Sequence, residues 1–236
     1  MLRNVGTYLG LNALLLLTVT IPEIFPALDS FGEASIVMFH LLTFMVQKAE
    51  IFNVDLSKLN RIFGVRPQTG LVSHMLRYIV TVFLALSVSA VVSLAVILGL
   101  GFSAKSLLFV VVFAVLFVGA QAAVLALAGT WLPAAIHGHA SSLSSAISRG
   151  KVGFLSRFFR IALALVVPLV LTLAVILSFP GDAGLLFFAG GRLNIALTAG
   201  FLLLTLVQSF AVTYVALLLA RQYIDAARPD VASLRP

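Results

Sequence analysis

The residues that could do chemistry are few and widely spaced. His137 and His139 come nearest to a ligand pair. Their i, i+2 spacing sets them on opposite faces of a helix, so they could share a metal only from an extended segment, which Gly138 permits. No third ligand stands nearby. Glu23, Asp29 and Glu33 gather in one short stretch and read as a solvated acidic turn. The chain contains no HExxH, no GxSxG, no Walker-type Gly-rich Lys motif and no paired-aspartate signature of membrane phosphotransferases. Those are spacings that metal-assisted hydrolysis, acyl transfer and phosphoryl transfer use. It has no cysteine, which removes disulfides, thiol catalysis and thiolate metal sites together. The residues point to no catalytic, cofactor-binding or metal site, and the expectation is a protein that is not an enzyme and carries no cofactor.

The remaining polarity falls into two sets. Gln121, Gln208, His40 and Asn12 stand inside strongly apolar stretches, where side-chain amides bond across helix interfaces for about 0.6 to 2 kcal/mol. Gln121 and Gln208 are the expected intramembrane polar contacts. Arg149, Lys151, Arg157 and Arg160 crowd one basic segment. Each cation near an anionic leaflet contributes about 1 kcal/mol, so these four are candidate contacts to anionic lipid as well as topological anchors.

Both sets must be positioned by membrane-spanning helices. Of the 236 residues 61% are hydrophobic and 10% charged, with mean hydropathy +1.17, whereas soluble domains carry about 25% charged residues. A helix crossing about 30 Å of hydrocarbon needs roughly 20 apolar residues. Six stretches qualify, at approximately 5–27, 34–52, 77–101, 106–132, 161–179 and 193–220. The expected fold is therefore all-α, a single polytopic domain of six transmembrane helices. The last four spans hold no Asp, Glu, Lys or Arg between Arg77 and Lys105, Lys105 and Arg149, Arg160 and Asp182, or Arg192 and Arg221.

Cations set the orientation. Arg3, Lys48, Lys58, Arg61, Arg66, Arg77, Arg149, Lys151, Arg157, Arg160, Arg221, Arg228 and Arg235 fall on one side of these spans, and only Lys105 and Arg192 on the other. With the acids included, the balance is +9 against −2, which reproduces the net charge of +7. Lys and Arg near helix ends stay cytoplasmic, so both termini are expected there, in a bacterial inner membrane. The basic balance is thus a topology signal, and nucleic acid is not an expected partner. The apolar run from Gly6 to Ile21 follows Arg3 as in a signal peptide, but no Ala-x-Ala pattern stands near Pro26; an uncleaved first helix is expected.

The basic connections have helical periodicity. From Ser141 to Arg160, Leu143, Ile147, Phe154 and Phe158 project within about 60°, and Arg149, Arg157 and Arg160 into a neighbouring sector of about 80°. That pattern predicts an interfacial amphipathic helix, capped by Ser141 or Ser142, with the phenylalanines in acyl chains. Gly150 and Gly153 weaken its continuity. Phe52, Leu56, Leu59 and Phe63 predict a similar helix ended by Gly64 and Pro67. Small-residue pairs mark close helix contacts, at Gly6 with Gly10, Ala85 with Ser89 and Ser93, and Gly119 with Ala123. Pro168 predicts a kink.

Residues Gly129-Thr130-Trp131-Leu132-Pro133-Ala134-Ala135-Ile136, then Ser142-Leu143-Ser144-Ser145-Ala146-Ile147-Ser148-Arg149-Gly150-Lys151, resemble a family of bacterial integral membrane proteins. It is grouped with the membrane domain of glycerophosphodiester phosphodiesterases and related proteins. The resemblance implies a multi-pass module without catalytic residues. Ala146, Gly150, Ile161 and Pro168 also resemble the coupling-loop pattern of ABC-importer permeases, with Ser144 or Ser145 in place of its acidic opening residue. The expected function is a scaffold or accessory subunit linked to envelope lipids, a membrane-protein partner or a second copy. The alternative is a small-solute transporter or permease subunit.

Overall fold

The computed structural model describes residues 10, 12–15, 17, 18, 31–54, 69–101, 107–137, 142–178, 188, 189 and 192–226. These residues are helical except for turns and one antiparallel pair. The helices are α1 (Phe31–Phe52), α2 (Thr69–Leu100), α3 (Leu107–Ala128), α4 (Trp131–Ile136), α5 (Leu143–Lys151), α6 (Phe154–Ser178) and α7 (Ile195–Ala226). Strand β1 (Phe188–Ala189) pairs with β2 (Arg192–Leu193) just before α7. The described residues between 10 and 18 are helical too; the rest of the first expected span, and the helix expected over residues 56–63, lie outside the described residues.

Four helical stretches are long and apolar enough to cross a membrane: Gly70–Leu100, Val111–Ile136, Phe154–Val175 and Ile195–Ala226. They correspond to the last four expected spans with shifted ends. The third begins at Thr69 rather than Arg77, and the fifth at Phe154 rather than Ile161. The continuous helix expected to Leu132 breaks at Gly129 and Thr130 before α4. Sequence hydropathy misplaced these ends because charged and polar first turns can still be helical when tertiary partners receive them.

The outer faces are apolar. Val72, Leu76, Phe83, Val91 and Leu98 on α2, and Leu155, Phe159, Leu163 and Val170 on α6, are all exposed. A soluble protein rarely exposes contiguous apolar surface on this scale. The buried stripe of α2 runs through Thr81, Ala85, Ser89, Ser93 and Ile97, one residue per turn, so the expected Ala85, Ser89 and Ser93 contact is formed against its neighbours. The Gly119 and Ala123 pair is not such a contact: a side-chain carbon at Gly119 would meet nothing within 4 Å. Ala122 and Ala126 on the adjacent face are the buried ones, packed with Ile161, Val215 and Leu219.

Helices α2, α3, α6, α7 and α1 pack in that order as neighbours, with α1 returning to α2 through a thinner contact. Helix α4 sits at one end of this ring and touches α2, α1 and α7. Its Leu132, Pro133, Ala134, Ala135 and Ile136 are buried, and Ile136 joins Phe44, Met45, Ile51 and Ala220 in one core cluster. Pro168 lies inside α6, and Thr172 Oγ1 donates to its carbonyl at 2.8 Å.

The segment Ser141 to Arg160 is not one helix. Ser142 caps α5, its Oγ accepting from the Ser145 amide at 3.2 Å, as expected. The helix then stops at Val152, and Gly153 takes φ +66°, a left-handed conformation that glycine adopts without steric cost. Phe154 and Phe158 belong to α6 and pack against the Ala122, Ala126 and Leu219 core, contrary to the acyl-chain placement. The turn at Gly153 resets the helical phase that the sequence projection carried through.

Candidate functional site

Side-chain hydrogen bonds between elements gather at the end of the bundle where α4 sits. In the first group, His40 and Gln47 share a face of α1 because seven residues make about two turns, and α2 brings His74 opposite. His74 and Gln47 are fully buried and His40 nearly so. His74 Nε2 lies 2.9 Å from Gln47 Oε1. The amide oxygen only accepts, so Nε2 carries the proton and Nδ1 the lone pair. The His40 ring stands 5.0 Å from those of His74 and Tyr78, and Phe44 meets His74 edge-on at 5.3 Å. Both nitrogens of His40, Nδ1 of His74 and Nε2 of Gln47 are buried without a hydrogen-bond partner. Among the described residues no three His, Asp or Glu side chains converge as a metal site.

The second group is cationic. Arg77 Nη1 donates to the Trp131 carbonyl at 3.0 Å, and its guanidinium lies 5.3 Å from the Trp131 ring centre. His137 Nδ1 and the Tyr223 hydroxyl are 2.9 Å apart. Arg149 stacks over Tyr223 at 5.6 Å, and its Nη1 donates to Ser145 Oγ at 3.5 Å. Two backbone contacts fix this arrangement: Gln222 Nε2 donates to the Arg149 carbonyl at 3.4 Å, and Thr130 Oγ1 to that of Ala146 at 3.3 Å. Gly150 lets α5 reach α3, since a Cβ there would collide with the backbone of Leu127. Burial lowers the Arg149 pKa, opposed by the charge of an ionised Tyr223, yet a guanidinium stays protonated at any physiological pH. At the rim, Arg221 Nε donates to Glu50 Oε1 at 2.9 Å. A groove of about 450 Å³ opens beside Arg77 and Trp131, walled by Val72, Leu76 and Val80.

Of the four basic residues singled out from sequence, Arg149 turns inward, Lys151 and Arg160 are exposed, and Arg157 folds back so that its Nε donates to the Gly153 carbonyl at 3.2 Å. They do not form one face. Gln121 on α3 and Gln208 on α7 are half-buried, and no hydrogen bond joins them. His137 pairs with Tyr223; His139 lies outside the described residues. The Gln47–His74 bond, the Arg77–Trp131 stack and the role of Tyr223 were not read from sequence. The only signals were His40 with Gln47 on one helical face, and a lone Trp before a proline.

No family model matches this chain, and neither a curated protein nor a solved structure matches it.

Proposed function

We propose that the protein is a non-enzymatic, multi-pass accessory module of a bacterial inner membrane, with six spans, both termini cytoplasmic, and the α4–α5 region lying at the cytoplasmic leaflet. The observation that carries this reading is the use to which the polar groups are put. They tie helices to one another at one end, as in His74 with Gln47, Arg77 with Trp131, His137 with Tyr223 and Arg221 with Glu50. That pattern suits a rigid platform.

Helix lengths support the placement. Helices α2 and α7 have 32 residues each, about 48 Å at 1.5 Å per residue. This exceeds the hydrocarbon thickness by about 18 Å, enough for the ends bearing Arg77 and Arg221 to reach the headgroup layer. Exposed Lys151 and Arg160 would meet anionic lipid there. The resemblance of residues 129–151 to the membrane-domain family points the same way, and the occupant of the apolar exterior is either a membrane-protein partner or a second copy.

Purification in mild detergent followed by identification of whatever co-elutes tests the reading. A stoichiometric integral membrane partner, a stable dimer or retained lipid supports it. A stoichiometric ATPase would replace it with a permease subunit.

A further inference from the structure

Arg77 is a cation set inside an apolar surface. On α2, Val72 and Leu76 before it and Val80 after it are exposed by 64%, 60% and 46%, so apolar side chains flank the guanidinium in both directions along the helix. A cation so placed in a spanning helix ordinarily snorkels, its stem on apolar surface and its head drawn out toward the headgroups. Arg77 is held instead. Its Nη1 donates to the Trp131 carbonyl at 3.0 Å, and its guanidinium lies 5.3 Å from the indole centre. These contacts fix its direction toward α4 and supply no negative charge. From Arg77 to the end of α2 at Leu100 the helix rises about 35 Å at 1.5 Å per residue, slightly more than the hydrocarbon thickness of about 30 Å. The charge therefore stands at the depth of lipid phosphates.

The groove of about 450 Å³ at this level is lined by Arg77 and Ser73 themselves, together with Val72, Leu76, Val80 and Trp131. Ser73 and Arg77, four residues apart, stack on one face of α2, and Val80 follows about one turn further along the same side. Both polar residues are partly exposed, so a ligand lying in the groove reaches them from the outer surface of the bundle. Guanidinium N–H groups match phosphate oxygens in pairs, and the bond to the Trp131 carbonyl uses a single one of the five donors. One groove thus joins a cation and a hydroxyl to an apolar wall that continues toward the bilayer centre, which complements an anionic amphiphile. Free phosphate shares the headgroup chemistry but leaves Val72, Leu76 and Val80 uncovered.

We propose that this groove binds an anionic phospholipid of the surrounding leaflet, its phosphate against Arg77 and Ser73 and the first methylenes of one acyl chain along Val80 and the Trp131 ring. The site deepens the membrane reading above and rests on it.

Trp131 is the only tryptophan in the chain, so its fluorescence reports on this groove alone. The full-length protein in a maltoside detergent is titrated with dioctanoyl phosphatidylglycerol, dioctanoyl phosphatidylcholine and inorganic phosphate at constant ionic strength. The expected result is a saturable change with phosphatidylglycerol, at least tenfold weaker with phosphatidylcholine and absent with phosphate. Arg77→Gln should weaken the phosphatidylglycerol response at least tenfold and Arg77→Lys less. Because Arg77 also ties α2 to α4, a second variant tests the groove with that tie intact: Ser73→Leu fills the groove, keeps the charge and should likewise weaken binding at least tenfold. Arg221→Gln, outside the groove, should leave the titration unchanged. Melting temperatures without lipid identify any variant whose loss is one of folding. Phosphate matching phosphatidylglycerol, equal responses to the two lipids, or unchanged titrations of folded Arg77→Lys and Ser73→Leu would each overturn the assignment. The titration requires no partner: its failure leaves the accessory reading standing, and a co-purifying ATPase would replace that reading without removing the lipid site.

Discussion

The His74–Gln47 bond gives the most direct test at the scale of single residues. Both side chains are fully buried, so Gln47→Leu strands the His74 N–H away from water. The expected cost is about 1 to 3 kcal/mol, the penalty of an unsatisfied buried donor. Changing both partners, Gln47→Leu with His74→Phe, should recover part of that loss. Thermal unfolding in detergent of the two single variants and the double gives the coupling, and strictly additive effects would show that the bond carries no energy. The sequence made His40 visible as a polar residue within an apolar run, but nothing in it named His74. The two sit 34 positions apart on different helices, and only the packing of α1 on α2 decides which side chains meet. The sequence named Arg149 as one of four basic residues that could meet anionic lipid, whereas its inward turn onto Tyr223 was hidden because charge alone says nothing about which face of α5 docks.

At the scale of elements, two glycines decide how α5 is mounted. A Cβ at Gly150 would collide with the backbone of Leu127, and backbone cannot yield as a flexible side chain does. Gly150→Ala is therefore expected to cost about 1 to 3 kcal/mol by overpacking. Gly153 holds φ +66°, so Gly153→Ala should cost about 1 to 2 kcal/mol from left-handed strain. Ser144→Ala, at an exposed position of the same helix, should stay near zero. Melting temperatures of the three variants check the order, and a Gly150→Ala protein as stable as Ser144→Ala would mean that α5 does not pack on α3. The cap at Ser142 was legible because capping is local chemistry. The break at Gly153 was not, because periodicity projects residues onto a helix that it assumes to be continuous, and one left-handed residue rotates everything beyond it.

For the whole molecule, the charge asymmetry and the geometry agree on a basic end: Arg77, Arg149, Arg157 and Arg221 all belong to the region around α4 and the adjoining helix ends. Because the chain lacks cysteine, single cysteines report topology without background. Gly181→Cys should react with an impermeant maleimide applied to intact cells, and Ser144→Cys should react only after the membrane is opened. The reverse pattern would invert the orientation. Length and hydropathy predict six spanning helices, and four of these are long and apolar enough to cross a membrane among the described residues, since those depend on composition summed over roughly 20 residues. Which helices become neighbours depends on small local matches such as Ala122 and Ala126 against Leu219, and these carry no signal on that scale.

The pairing of α1 with α7 bears on how the chain is made. Leu42 and Val46 of α1 bury against Ala216, Phe44 and Met45 join the cluster that includes Ala220, and Glu50 holds Arg221. The earliest of the labelled helices thus finds its main partner in the latest, with on the order of 140 residues between them. At ribosomal speeds of about 5 to 20 residues per second, α1 waits roughly 7 to 28 s before α7 emerges. Throughout that interval its Leu42 and Val46 stand beside an open flank that the last helix closes. A chain arrested after Ser178 should therefore be captured by membrane chaperones or degraded, whereas co-expression of residues 179–236 as a separate fragment should rescue it.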